Sequence, residues 1–283
     1  MARRSQRGSD RGGRRGSARA ERIRRQNLSA LAKIAGALVV VGIVVTIYLR
    51  VQASHRDLDE VTMCPAEPTS FTVLLVDVTD PMNTAQRQDF TNQLARLKNS
   101  IPRYGQLMVA KVDATDANLL SPVIVRCNPG TAADVSEATG DPQLVRRQRE
   151  EGFDRPLDAA FRRLGAAGGA DRSPILESMQ SVALTEFQKP GRDDKPRRLV
   201  VASDLLQNTD AVSFYKGLPE PDAFTGGDGF RRVRTDLRGV EVELWMLERS
   251  DAASTQPRAL AELWERIVAA QGGELMRVYN VSG

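Results

Sequence analysis

The sequence predicts an α/β domain with a doubly wound, mostly parallel central sheet, preceded by one transmembrane helix. Three observations carry this expectation. Residues 34–49 form an apolar run without a charge, and from residue 70 onward short apolar stretches alternate with amphipathic ones. Two of the short stretches, 71–76 and 199–202, are apolar without alternation, as in strands buried on both faces of a parallel sheet. The chain of 283 residues is 41% hydrophobic and 27% charged, which suits one globular domain with appendages rather than two full domains.

Residues 1–27 are expected to be a disordered, Arg-rich cytoplasmic tail. Ten of the 40 basic residues and only two acidic ones, Asp10 and Glu21, fall within residues 1–26, where there is little apolar surface to offset chain entropy. Residues 28–50 read as a signal anchor. From Leu28 to Leu49 an α-helix would span about 33 Å, enough for a hydrocarbon layer of about 30 Å, and Lys33 is near enough to its end to snorkel.

The arginines before the helix place the N-terminus in the cytoplasm and everything after about residue 50 outside it. The expected location is the cytoplasmic membrane, single-pass, with the C-terminal domain periplasmic or extracellular. A cleaved secretory signal is the competing reading, since Val51, Gln52 and Ala53 loosely resemble a cleavage site. The apolar run is longer than such signals use, however, and Tyr48, Leu49 and Arg50 make a bulky approach. The arginine tail either fixes topology only or also holds anionic lipid or an acidic partner.

Residues 51–69 are read as a juxtamembrane linker and 70–283 as the α/β domain. In that domain 71–76 is the first strand. Asn83 and Gln86 form a capping box for a helix with Phe90, Leu94, Leu97 and Ile101 on one face. Strands at 107–112 and 122–127 are too close for an intervening helix and form a hairpin-like edge. A helix carries Phe153, Leu157, Phe161 and Leu164, with Pro156 in its first turn or at a kink. Residues 128–150 and 165–172 are read as loops, although Arg146–Glu151 would suit a solvated helix face.

Ser173 and Pro174 read as an N-cap and first helical residue before Ile175, Met179, Val182 and Phe187. A strand at 199–202 ends at Ser203 and Asp204. Residues 207–238, with Tyr215 and Phe224, read as either a partner-binding insertion or flexible surface. A strand at 240–247, a helix striped by Leu260, Leu263, Trp264, Ile267 and Val268, and a strand at 275–281 complete the domain. Trp245 and Trp264 are expected in the core.

Composition also excludes chemistry. Outside residues 1–26 there are 30 basic and 34 acidic residues, so the folded part has no cationic excess for nucleic acid. The single histidine, His55, lies next to the membrane segment, which leaves no base for a Ser-His-Asp or Cys-His enzyme. The two cysteines, Cys64 and Cys127, make no CxxC site, and no nucleotide-binding glycine fingerprint is present. Outside the cytoplasm the cysteines are expected to form a disulfide contributing about 4 kcal/mol in the chain-entropy model; the alternative is two buried thiols.

Ligands of open α/β sheets bind beyond the carboxyl ends of the strands, where strand order reverses. That rim collects Asp77, Thr79 and Asp80 after the first strand, Ser173 at a helix start and Asp204 after a later strand. Such oxygens suit Mg²⁺, Mn²⁺ or Ca²⁺ rather than zinc.

At these residues the sequence resembles the von Willebrand factor type A (vWA) domain. That family has a metal-ion-dependent adhesion site with a DxSxS motif after strand one, a Thr or Ser in a later loop, and an Asp after strand four. Asp77 and Thr79 match the first two positions, whereas Pro81 stands at the third without a hydroxyl. Ser173 matches the later hydroxyl, and Asp204, in VVASDLL, the last carboxylate. The stretches VLLVDVTDPM, CNPG, RSPILESM and VVASDLLQN also resemble uncharacterised bacterial membrane-anchored proteins of this superfamily.

The resemblance covers about residues 70–283. It implies a protein-binding module with a degenerate adhesion site, whose metal residues would be Asp77, Thr79, Ser173 and Asp204, with Asp80 at the rim, and whose partner is another protein. The competing expectation is a Mg-dependent phosphatase-like hydrolase using Asp77 as nucleophile. Thr79 stands where that chemistry normally has its acidic second Asp, so no catalytic residue is assigned.

Overall fold

A computed structural model of the chain describes residues 31–49, 57–78, 82–112, 120–135, 141–164, 172–248 and 258–281. The chain divides into two units, residues 1–56 and 57–283. In the first, helix α1 (Leu31–Leu49) has 19 residues and a mean hydropathy of 2.3, which is long and apolar enough to cross a membrane. The arginine tail and Val51, Gln52 and Ala53 lie outside the described residues.

The second unit is built on six strands: β1 (Phe71–Val76), β2 (Gln106–Val112), β3 (Leu120–Cys127), β4 (Arg197–Ser203), β5 (Val240–Leu247) and β6 (Glu274–Val281). Their order is β3-β2-β1-β4-β5-β6, and every pair is parallel except β2 with β3. The antiparallel β2–β3 edge is the hairpin-like pair expected from the short connection. From β1 the chain steps outward to β2 and β3, then returns through β4 on β1's other side. Strand order therefore reverses between β1 and β4.

Side chains of adjacent residues point to opposite faces of a strand, and both faces of this sheet are covered. Phe71, Val73 and Leu75 of β1 join Leu199, Val201, Val242 and Leu244 in a core with α5 (Ile175–Val182) and α8 (Arg258–Ala270). Leu74, Val76, Val200, Ala202 and Trp245 face the other way, against α2 (Thr84–Ser100) and α4 (Arg155–Leu164). This is why β1 and β4 read as continuous apolar runs, and it makes the architecture doubly wound. Trp245 and Trp264 are both buried.

Helix α2 starts with the expected box. Asn83 Oδ1 accepts from Gln86 N at 2.8 Å, and Gln86 Oε1 accepts from Asn83 N at 3.1 Å. Residues 128–150 are not all loop. Helix α3 (Pro142–Arg149) begins at Asp141, whose carboxylate accepts from the Gln143 and Leu144 N–H groups, with Pro142 in the first turn. A widened π turn (Glu150–Asp154) joins it to α4. Pro156 is the second residue of α4, so its missing N–H falls at that change of helical register.

Residues 207–238 are packed against the domain rather than being flexible surface. They contain α6 (Pro221–Gly226) and α7 (Asp228–Val233). Buried Phe214 sits edge-on to Phe224 at 5.6 Å and to Trp264 at 6.4 Å, which ties the segment to the α5–α8 face. Cys64 and Cys127 are disulfide-bonded, with Cα atoms 4.7 Å apart and a sequence separation of 63. The bridge fastens the segment before β1 to the end of β3. There the Cys127 N–H also donates to the Thr62 carbonyl at 2.9 Å.

Candidate functional site: a carboxylate pair at the strand-order reversal

Asp77 follows β1, and Ser203 ends β4 with Asp204 next to it. Because β1 and β4 are parallel neighbours, with Val76 opposite Ala202, their carboxyl ends deliver these residues to one place. The Asp77 N–H continues the ladder by donating to the Ala202 carbonyl at 2.8 Å.

Ser173 reaches the site by a different route from the one expected. It does not cap α5, whose N-cap is Pro174 with no side-chain cap bond. Instead its backbone pairs with Asn208 through two bonds, of 3.0 and 2.9 Å, and its hydroxyl donates to Asp77 Oδ2 at 2.5 Å. Proline has no side-chain oxygen to accept a cap bond from the first-turn N–H groups, and pairing with Asn208 turns Ser173 inward.

Two residues that sequence reasoning did not assign complete the cluster. Ser203 Oγ lies 3.0 Å from Asp77 Oδ2 and 3.3 Å from Asp204 Oδ1, so its one proton is shared between two carboxylates. Tyr215 Oη donates to Asp204 Oδ2 at 3.3 Å. Ser203 was visible beside Asp204 in the sequence. Tyr215 had no such signal, because its approach depends on how 207–238 folds.

The turn after β4 fixes Asp204. Leu205 adopts φ +63°, a left-handed conformation that a Leu enters at a cost of about 1 kcal/mol. The strained turn directs the Leu205 N–H to Ser203 Oγ at 3.0 Å and the Leu206 N–H to Asp204 Oδ1 at 2.9 Å, while the Leu205 carbonyl accepts from Trp264 Nε1 at 2.9 Å. Strain held in place by a buried tryptophan marks a position the fold over-determines.

Asp77, Ser173, Ser203 and Asp204 are all buried, each at most 4% exposed. Burial pushes the Asp204 carboxyl up to about 6, and the neighbouring Asp77 carboxylate adds to the rise, against the opposing pull of the Leu206, Tyr215 and Ser203 hydrogen bonds. The arrangement favours a proton or a cation at this point.

The donors are two carboxylates and two hydroxyls, all hard oxygens, with no thiolate or imidazole among them. Such a set fits Mg²⁺, Mn²⁺ or Ca²⁺. Among the described residues no three His, Cys, Asp or Glu side chains cluster around one point, so the carboxylate count is two. Thr79, Asp80 and Pro81 lie outside the described residues.

No protein-family model and no curated protein matches the chain. Several solved structures are similar in fold, three of which follow. The SpRpn10 VWA domain has a TM-score of 0.40 and 8% identity, over 76% of this chain and 89% of that one. The conserved hypothetical protein BatB from Bacteroides thetaiotaomicron has 0.41 and 9%, over 75% and 91%. An aerotolerance-related membrane protein from Bacteroides fragilis NCTC 9343, carrying multiple mutations to serines, has 0.35 and 12%, over 76% and 92%. One of the three is named as a VWA domain, and the other two are Bacteroides proteins.

Proposed function

We propose that the chain is a single-pass membrane protein whose 57–283 unit lies outside the cytoplasm and binds another protein through the rim at β1 and β4, with a divalent cation held there. The observation that carries this reading is the convergence of Asp77, Ser173, Ser203 and Asp204 from three loops at the strand-order reversal, with neighbouring oxygens 2.5–3.3 Å apart. Asp77 and Asp204 would hold the cation with the Ser173 and Ser203 hydroxyls, and with Thr79, two residues after Asp77 in the sequence. A bound divalent cation neutralises the two carboxylates and offers a coordination position to a partner's carboxylate.

The remaining roles fall to the chain itself. Ser203 holds the two carboxylates together, the Leu205 turn orients Asp204, and Tyr215, 47% exposed, stands at the outer edge of the site where a partner arrives. The Cys64–Cys127 bridge supports the extracytoplasmic placement, since disulfides persist in oxidising compartments. The arginines ahead of α1 support the same orientation.

The test uses the full-length protein in phosphatidylcholine nanodiscs. Calorimetric titration with Mg²⁺, Mn²⁺ and Ca²⁺ is expected to show binding that Asp77→Ala and Asp204→Ala each remove, without hydrolysis of a generic phosphomonoester. Mg²⁺-dependent phosphomonoester hydrolysis abolished by Asp77→Asn would replace this reading with the hydrolase. The absence of any cation binding would remove the cation from it.

A further inference from the structure

Beside the rim, α2 and α4 stand apart over the sheet and leave a groove of about 670 Å³, within the roughly 300–1,000 Å³ that ligand sites occupy. Its floor is apolar: Val76, Phe90, Leu94 and Phe161, with the Phe90 and Phe161 rings 5.3 Å apart. On the α2 side the wall is low, because Thr91 and Ala95, one helical turn apart, present small exposed side chains.

The charges along the groove fall into two kinds. Lys98 at one end is already neutralised, 2.7 Å from Asp158 and 3.5 Å from Asp154. Arg87 on α2 and Arg162 on α4 are exposed on opposite walls, and among the described residues neither guanidinium is in an ion pair.

An apolar strip with a cation on each lip, neither in an ion pair among the described residues, complements an apolar stripe with carboxylates on both flanks. A single-headed anionic lipid would satisfy one lip and leave the other guanidinium unmatched, and Lys98, compensated by two carboxylates, adds no third site for a headgroup. We infer that the α2–α4 groove is a docking site for an acidic amphipathic helix of a partner protein, which lays its apolar face over the Phe90–Phe161 floor and its carboxylates against Arg87 and Arg162. The groove is lined by Val76 and Val78, the residues on either side of Asp77, so one end of it lies at the β1 carboxyl end. Docking here is independent of a cation.

The test measures fluorescence anisotropy on the full-length protein in phosphatidylcholine nanodiscs. The probes are two labelled helical peptides with Leu at i, i+3, i+4 and i+7, flanked in one by Glu and in the other by Lys. The Glu peptide is expected to bind at least tenfold more tightly than the Lys peptide. Ala95→Trp, and separately Thr91→Trp, both at exposed positions that the fold tolerates, should weaken it at least tenfold by filling the groove. Arg87→Glu combined with Arg162→Glu should reverse the peptide preference, and Asp77→Ala should leave it unchanged, which separates this site from the rim. Equal affinity for the two peptides, or binding indifferent to both Trp variants, would overturn the inference. So would binding of phosphatidylglycerol vesicles that Ala95→Trp blocks while the Glu peptide fails to bind.

Discussion

Two buried carboxylates on neighbouring strands have opposite surroundings. Glu243 of β5 lies between Arg198 of β4, whose guanidinium contacts Oε1, and Arg277 of β6, 3.1 Å from Oε2. Burial alone would raise its carboxyl, but the two guanidiniums outweigh burial and hold it below the usual range. Asp204, equally buried, has hydroxyls, one backbone N–H and another carboxylate nearby, and its carboxyl sits at about 6. The first has its counter-charge built into adjacent strands and is structural. The second has two hydroxyls, a backbone N–H and another carboxylate around it, the surroundings that the proposed cation site calls for.

The comparison breaks first at Glu243. Glu243→Ala leaves the partly buried Arg198 guanidinium and the exposed Arg277 guanidinium without their carboxylate and is expected to destabilise by about 3 kcal/mol, read by urea unfolding. The corresponding change at the rim has the opposite sign. At pH 7 without divalent cation, Asp204→Asn removes a buried charge whose ionisation the fold resists and should stabilise by roughly 2 kcal/mol. A destabilised Asp204→Asn, or an unaffected Glu243→Ala, would remove the distinction between the two carboxylates.

pH separates them as well. The folded Asp204 carboxyl titrates at about 6 against 3.8 for an unperturbed one. Its contribution is fully present below pH 3.8 and is lost as pH rises through about 6. Glu243, lowered from 4.5, contributes above that value, and the contribution is lost as pH falls through its folded pKa. Unfolding free energies measured from pH 4 to 7 in chelator should carry a falling component that Asp204→Asn flattens and Glu243→Gln does not.

Smaller effects sharpen the picture at the rim. A divalent cation at a hundred times its dissociation constant should stabilise wild type by about 2.7 kcal/mol at pH 7 and leave Asp77→Ala unchanged, read as a shift in Tm. Tyr215→Phe deletes a partly exposed hydrogen bond to Asp204 and should change stability by about 0.5–1 kcal/mol, with a few-fold change in cation affinity.

Much of the fold could be read from the sequence, because burial on both faces leaves a direct signature. The continuous apolar runs of β1 and β4 and the Asn83–Gln86 box correspond to what the structure contains. Helix α3 was read only in part, as the charged face Arg146–Glu151, because none of its residues is buried and no apolar periodicity marks it; Asp141 and Pro142 signal its start. Placing Asp77 and Asp204 at strand ends needed only the boundaries of two apolar runs. The inward turn of Ser173, the shared proton of Ser203 and the approach of Tyr215 depend on the pairing of Ser173 with Asn208 and on a left-handed Leu205, neither of which leaves a trace in residue type.

The most direct measurement is the anomalous scattering of Mn²⁺ soaked into crystals of the protein at pH 7. A peak within coordination distance of Asp77 and Asp204, with the Ser173 and Ser203 hydroxyls beside it, is the expected result. Crystals that bind manganese elsewhere and show these two carboxylates held only by their hydroxyl partners would contradict the proposal that the rim is a cation site.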